Sequence, residues 1–128
     1  MRLLLDTHVL ISASRHRIGT AYPAFADILL SPNAELFASV ASIWEMAIKV
    51  RIGKLDIGIE PPDLVLLLRS FQMRILAIEH RHATALLDAE PPTRDPFDRM
   101  LLAQCQVEGL QLVTADRALV GHPLAWRE

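Results

Sequence analysis

Short apolar runs alternating with helical patterns constrain this chain more than any other feature. Residues 2–5, 36–39, 74–78 and 111–114 each read as a buried strand. Helical patterns fill the intervals, near residues 7–15, 22–30, 41–52, 63–71, 81–89 and 96–108. A weaker fifth strand is predicted at residues 124–127. Strands that alternate with helices imply βαβ crossovers, hence a central, mostly parallel sheet of four or five strands covered on both faces. Pro61-Pro62 and Pro91-Pro92 punctuate helix starts or connections. No repeat, low-complexity tract or linker interrupts the pattern, so the 128 residues read as one α/β domain, large enough for a core of its own.

An acid stands beside each of several apolar stretches: Asp6 after Leu3-Leu4-Leu5, Glu45 after Ile43-Trp44, Asp98 before Met100-Leu101-Leu102, and Asp116 after Leu112-Val113. Ionised acids are rarely set against a core unless something cancels their charge. In open parallel sheets, ligands sit outside the carboxyl ends of the strands. If the four acids converge there, the natural partner is a hard divalent cation, and the natural chemistry is phosphodiester hydrolysis.

Each acid also has a purely structural reading. Asp6 and Asp116 suit helix or turn caps. Glu45 completes the spacing Ser42-x-x-Glu45 of a capping box and stands four residues before Lys49, a favourable ion pair. A helix through this stretch nevertheless sets Glu45 in line with Ala41, Ile48 and Ile52 on an inward stripe. Asp95 makes a good N-cap with Pro96 at the first helical position, and Asp98 falls third. Asp98 heads the stripe Leu101, Leu102, Cys105, so Asp95 is assigned to structure and Asp98 to chemistry.

The remaining residues weigh less. A net charge of −2 fits no binder that grips nucleic acid by charge alone. Lys49, Arg51 and Lys54, with Arg94 and Arg99, offer cations that could track a phosphate backbone. Thr7 and Thr114 suit either strand-end turns or a polar role in the site. His8 is read as a packing residue, and His80 and His82 do not share a helical face. Trp44 and Trp126 are read as core or interface anchors. The single cysteine, Cys105, excludes an internal disulfide, reads as a core residue and fits a reducing cytoplasm. No targeting segment is convincing, because Asp6 and His8 interrupt the apolar start, and no apolar run is long enough to span a bilayer. Apolar residues make up 52% of the chain, and mean hydropathy is +0.27, so an oligomer or partner interface is expected.

With these residues in view, the chain resembles the PIN-domain nucleases, and among them the VapC-type toxins of bacterial toxin–antitoxin pairs. The matching stretches are Leu3-Leu4-Leu5-Asp6-Thr7-His8-Val9-Leu10, then Ala41-Ser42-Ile43-Trp44-Glu45-Met46-Ala47-Ile48-Lys49, and Arg51-Ile52-Gly53-Lys54-Leu55. They continue with Arg94-Asp95-Pro96-Phe97-Asp98-Arg99-Met100-Leu101-Leu102-Ala103-Gln104 and Gly109-Leu110-Gln111-Leu112-Val113-Thr114-Ala115-Asp116. The resemblance implies a PIN-like three-layer sandwich and an endoribonuclease that uses Mg²⁺ or Mn²⁺. Asp6, Glu45, Asp98 and Asp116 would be its catalytic acids, with Asp6 and Asp98 as the metal ligands. It further implies a homodimer and a cognate antitoxin whose tail lies over the site. Thr93 stands where close relatives often carry His, and Ser12-Ala13 replaces a frequent aromatic pair. Both departures are expected to leave the acids untouched and to bear on substrate fit.

An all-carboxylate set without His or Cys suits Mg²⁺ or Mn²⁺ and argues against zinc. Glu45 and Asp116 both remain open as the group that orients or deprotonates the attacking water. Two alternatives stay within the same fold: a PIN nuclease of RNA processing outside a toxin–antitoxin pair, and an inactive protein-binding module. Two others fall behind on residues. A haloacid-dehalogenase phosphotransferase needs a second Asp where His8 stands. A receiver domain needs a late Lys, and the only lysines are Lys49 and Lys54.

Overall fold

Leu3, Leu4 and Leu5 are fully buried because their strand, β1 (Arg2–Leu5), runs through the middle of the sheet. The computed structural model describes residues 1–127. Its sheet has four strands in the order β3 (Met73–Leu76), β2 (Glu35–Ser39), β1 and β4 (Gln111–Val113), all parallel. In register, Leu4 lies opposite both Phe37 and Leu112. The expected fifth strand is reduced to a parallel bridge between Leu112 and Ala125.

Because side chains alternate along a strand, the leucines of β1 serve two cores. Leu3 and Leu5 face Val9 and Leu10 of α1 (Thr7–Ser14), Met46 of α4 (Val40–Arg51), and Leu64 and Leu68 of α5 (Leu64–Ser70). Leu4 faces the other way, onto Leu101, Leu102 and Cys105 of α7 (Pro96–Glu108). Each buried leucine contributes about 1.5–3 kcal/mol. The result is the expected three-layer α/β sandwich. No helix among the described residues is long and apolar enough to cross a membrane.

Other elements depart from the sequence reading. The helix expected at 22–30 is α3 (Pro23–Leu29), preceded by a short α2 (Ile18–Ala21). The helix expected at 81–89 stops early, as α6 (His80–Ala83). Beyond it the chain is clipped to α7 instead: Gln106 donates to the Leu86 carbonyl at 2.8 Å and accepts from the Asp88 N–H at 2.9 Å. Leu86 is left 90% exposed, so no apolar stripe rewards a longer helix there.

Two devices fix α4 and α7 against the strand ends. The Ser39 hydroxyl accepts from Ala41 N–H at 3.0 Å, capping α4, and donates to Gln104 Oε1 at 2.5 Å. Gln104, buried on α7, donates in turn to the Ala77 carbonyl just beyond β3 at 3.2 Å. At the other end of α7, Gly109 takes a left-handed conformation (φ 67°) that turns the chain into β4. An added Cβ there would meet nothing closer than Arg2 at 3.8 Å, so the backbone angle and not crowding calls for glycine.

Candidate active site

Parallel strands end on one rim, and there β1 and β4 are tied together. The Asp6 N–H donates to the Val113 carbonyl at 3.1 Å. Asp6 is 4% exposed and uses both carboxylate oxygens. Oδ1 accepts from the Val9 N–H at 3.0 Å, and Oδ2 accepts a short bond from the Thr114 hydroxyl. Thr114 also accepts from the Asp116 N–H at 3.1 Å, so one hydroxyl joins two of the acids. Asp116 accepts from the Ala118 N–H at 2.8 Å, within a turn. Asp6 and Asp116 therefore both cap backbone and both stand at the rim. Thr7, whose hydroxyl donates to Ser42 at 3.0 Å, braces α1 against α4 instead.

The start of α7 reaches the same rim. Asp95 caps it as expected, accepting from the Phe97 and Asp98 N–H groups at 2.8 and 3.2 Å. Asp98 is half-buried and carries no cap duty. Burial first, then the charges of Asp95, Asp116 and Glu45, push its carboxyl up to about 6. Asp6 is also raised, chiefly by burial and slightly by Asp116, against the pull of Thr114, Val9 and His8. Asp116 is thus felt by Asp6 and Asp98, and Glu45 by Asp98, which links all four acids through one field.

For Glu45, one structural reading falls and one stands. The cap of α4 is Ser39, not Ser42, so no capping box forms at Ser42-x-x-Glu45. The pair with Lys49 does form, at 3.1 Å. Ile52, placed on the inward stripe by its spacing, is 57% exposed where the helix has ended. Of the other expected cations, Arg99 pairs with Glu90 at 2.7 Å. Among the described residues, neither Asp6, Asp98 nor Asp116 has a Lys or Arg within ion-pair distance.

Several residues stand otherwise than the sequence suggested. Thr93 does touch an acid: its hydroxyl donates to Asp98 Oδ2 at 3.3 Å and accepts from the Asp95 N–H at 3.1 Å. Its place two residues before a capping Asp is the sequence signal for such a turn. Tyr22 bonds Ser12 and feels Asp6, so the departure at Ser12 also lies close to the site. His8 is exposed at the rim rather than buried in the core, and it acts on Asp6. Trp126 is half-buried against Phe25, whereas Trp44 is 58% exposed. Cys105 is sealed in the core, which pushes its thiol up to about 12 and removes it as a nucleophile.

The tightest trio of metal-type donors lies elsewhere. Glu79, His82 and Glu108 bring ligand atoms within 4.8 Å of one another, closer than any three of the rim acids. Hydrogen-bond direction argues against a cation there. The Glu79 N–H can only donate, and it points at His82 Nδ1 at 3.0 Å, so the imidazole proton sits on Nε2. Nε2–H then donates to Glu108 Oε1 at 2.9 Å, while Arg81 donates to Glu79 at 3.0 Å and to Glu108 at 2.5 Å. The His82 bond and then Arg81 lower the Glu108 carboxyl. This cluster is a clamp between α6 and α7. Sequence reading passed over it, although Glu79-x-x-His82 has capping-box spacing.

The rim acids have the opposite character. They are oxygen donors only, burial and repulsion raise Asp6 and Asp98, and three of the four lack a cationic partner. That donor set fits a hard divalent ion, with Asp6 and Asp98, both raised, as candidates to hold it.

The family model of the PIN domain matches residues 3–121. In three dimensions the chain is similar to one in the crystal structure of VapBC2 from Rickettsia felis, bound to a DNA fragment from their promoter. The TM-score is 0.62 at 15% identity, over 98% of this chain and 96% of that one, a likeness of fold. No curated protein matches the chain in sequence.

Proposed function

Since the chain belongs to the PIN domain family, we propose that it is a Mg²⁺- or Mn²⁺-dependent endoribonuclease and the toxin of a toxin–antitoxin pair. The observation that carries the nuclease reading is the rim of carboxylates, three of the four without a cationic partner, in which burial and repulsion raise both Asp6 and Asp98. The toxin reading rests on the residue pattern from Leu3 to Asp116, with the VapBC2 likeness supporting its fold. In this reading residues 1–128 form a single PIN domain.

Asp6 and Asp98 would hold the ion, with Thr114 and Thr93 keeping their carboxylates in place. When bound, the ion supplies Lewis acidity, offsetting charge on the acids and the phosphodiester and making water a better nucleophile at neutral pH. Glu45 or Asp116 orients the attacking water and takes its proton. Water adds in line at phosphorus, the opposite P–O bond breaks, and the departing ribose oxygen gains a proton.

A homodimer and a cognate antitoxin complete the proposal. Leu30, Leu66 and Leu86, at 83%, 69% and 90% exposure, are apolar surface for such contacts. Buried, reduced Cys105 suits the cytoplasm.

The test compares Asp98→Asn and Glu45→Gln with the wild type for Mn²⁺-dependent cleavage of RNA. Both keep hydrogen-bonding shape and lose charge. Cleavage should fall by at least about 100-fold in each, with the far-UV circular dichroism unchanged. Undiminished cleavage in both variants would remove the site. For the toxin role, expression of the wild type should arrest growth, and the product of a neighbouring short reading frame should relieve it.

A further inference from the structure

Trp44 is the bulkiest side chain left in solvent, 58% exposed on α4. It immediately precedes Glu45, and its ring meets Phe97, which immediately precedes Asp98. The two rings stand edge to face, with centroids 5.6 Å apart and planes 66° apart. Phe97 packs on the buried cluster of Leu4, Leu101 and Leu102, whereas Trp44 belongs to neither core. One ring is therefore braced and the other open. Consecutive Cα atoms are about 3.8 Å apart, so this aromatic step lies at the edge of the acid rim.

We propose that Trp44, backed by Phe97, is the stacking platform for an unpaired base beside the cleaved phosphodiester. The inference rests on the ribonuclease reading above. A strand whose phosphate lies among the acids must carry its flanking bases past the starts of α4 and α7. A flat indole accepts any base face, but a base within a duplex already has both faces stacked and gains little. A second copy of the chain is the weaker occupant. A two-fold contact through Trp44 presents the same patch from both sides, and so sets one uncompensated acid cluster against another.

Steady-state cleavage of a single-stranded oligoribonucleotide tests this. Trp44→Ala should raise KM about tenfold with a much smaller change in kcat, Trp44→Phe should restore most of the loss, and Trp44→Leu should not. A single abasic nucleotide beside the cut should raise KM for the wild type by a similar factor, with no further rise in Trp44→Ala. With Trp126→Phe leaving Trp44 as the sole indole, emission should be quenched by the single strand and not by a duplex. An unchanged KM in Trp44→Ala overturns the platform. So does a loss of self-association in sedimentation with KM intact, which would assign the face to a protein partner. A wild type that cuts no RNA removes the nuclease reading first, and the platform with it.

Discussion

Two clusters of acids on this molecule are built alike and balanced oppositely. At the clamp between α6 and α7, Glu79 and Glu108 meet Arg81 and the Nε2–H of His82, and Glu108 is lowered. At the sheet rim, Asp6, Asp98 and Asp116 meet backbone N–H groups, threonine hydroxyls and one another, and Asp6 and Asp98 are raised. The clamp is the more compact of the two, so proximity alone would choose the wrong site. What separates them is whether the chain itself supplies the opposite charge. A finished electrostatic arrangement serves the fold, and an unfinished one leaves room for a ligand.

The largest effect should come from metal affinity. Ion binding must displace the proton that Asp98 carries below about 6. Mn²⁺ affinity measured by calorimetry should therefore weaken as pH falls through that value, by about tenfold per unit for each proton displaced. Asp98→Asn should lose at least about 100-fold in affinity, together with the share of the pH dependence that Asp98 carries. An affinity flat from pH 5 to 7 would put the two clusters on the same footing.

A smaller effect, opposite in kind, is expected at the clamp. His82 is 1% exposed, and His82→Ala leaves the Glu79 N–H without its partner and Glu108 with Arg81 alone. Urea denaturation should show a loss of about 2–3 kcal/mol, with Mn²⁺ affinity unchanged. If the affinity fell as well, the clamp would have a share in the metal site.

The smallest effect concerns the metal-free fold. Asp98 has a folded value above its unfolded one, so its ionisation costs stability. The favourable contribution is complete below the unfolded value near 3.8 and is lost as pH rises through about 6. Metal-free Asp98→Asn should accordingly be more stable than the wild type at pH 7–8, by about 1 kcal/mol after allowance for solvent screening. The gain should vanish towards pH 4. Thermal melts at the two pH values, in chelator, would show it.

The sheet was legible in the sequence because each strand is an apolar run and β1 is buried on both faces. The four acids were legible because each interrupts or borders such a run. The clamp was not, since Glu79, His82 and Glu108 are brought together across 26 and more residues by tertiary packing. The early end of α6 was hidden for the same reason: Gln106 lies on another helix. Of the two places open to Trp44, core or interface, its exposure excludes the core, where a large aromatic in an amphipathic helix ordinarily packs. Thr93 was misjudged because its departure was weighed as a family difference, while its hydroxyl's reach to Asp98 depends on the turn that Asp95 caps.

The neighbourhood of β1 and β4 has a consequence for when the site can exist. Asp6 leaves the ribosome well before Thr114, which bonds it and follows 108 positions later. Synthesis runs from the amino end, and the central strand must wait for a neighbour made much later. A growing chain that has not yet released Asp116 therefore has an incomplete set of acids and one open side to its sheet. In the proposed activity, a half-made copy would be harmless to the RNA around it, and the interval before β4 inserts would be a natural opportunity for a partner to arrive.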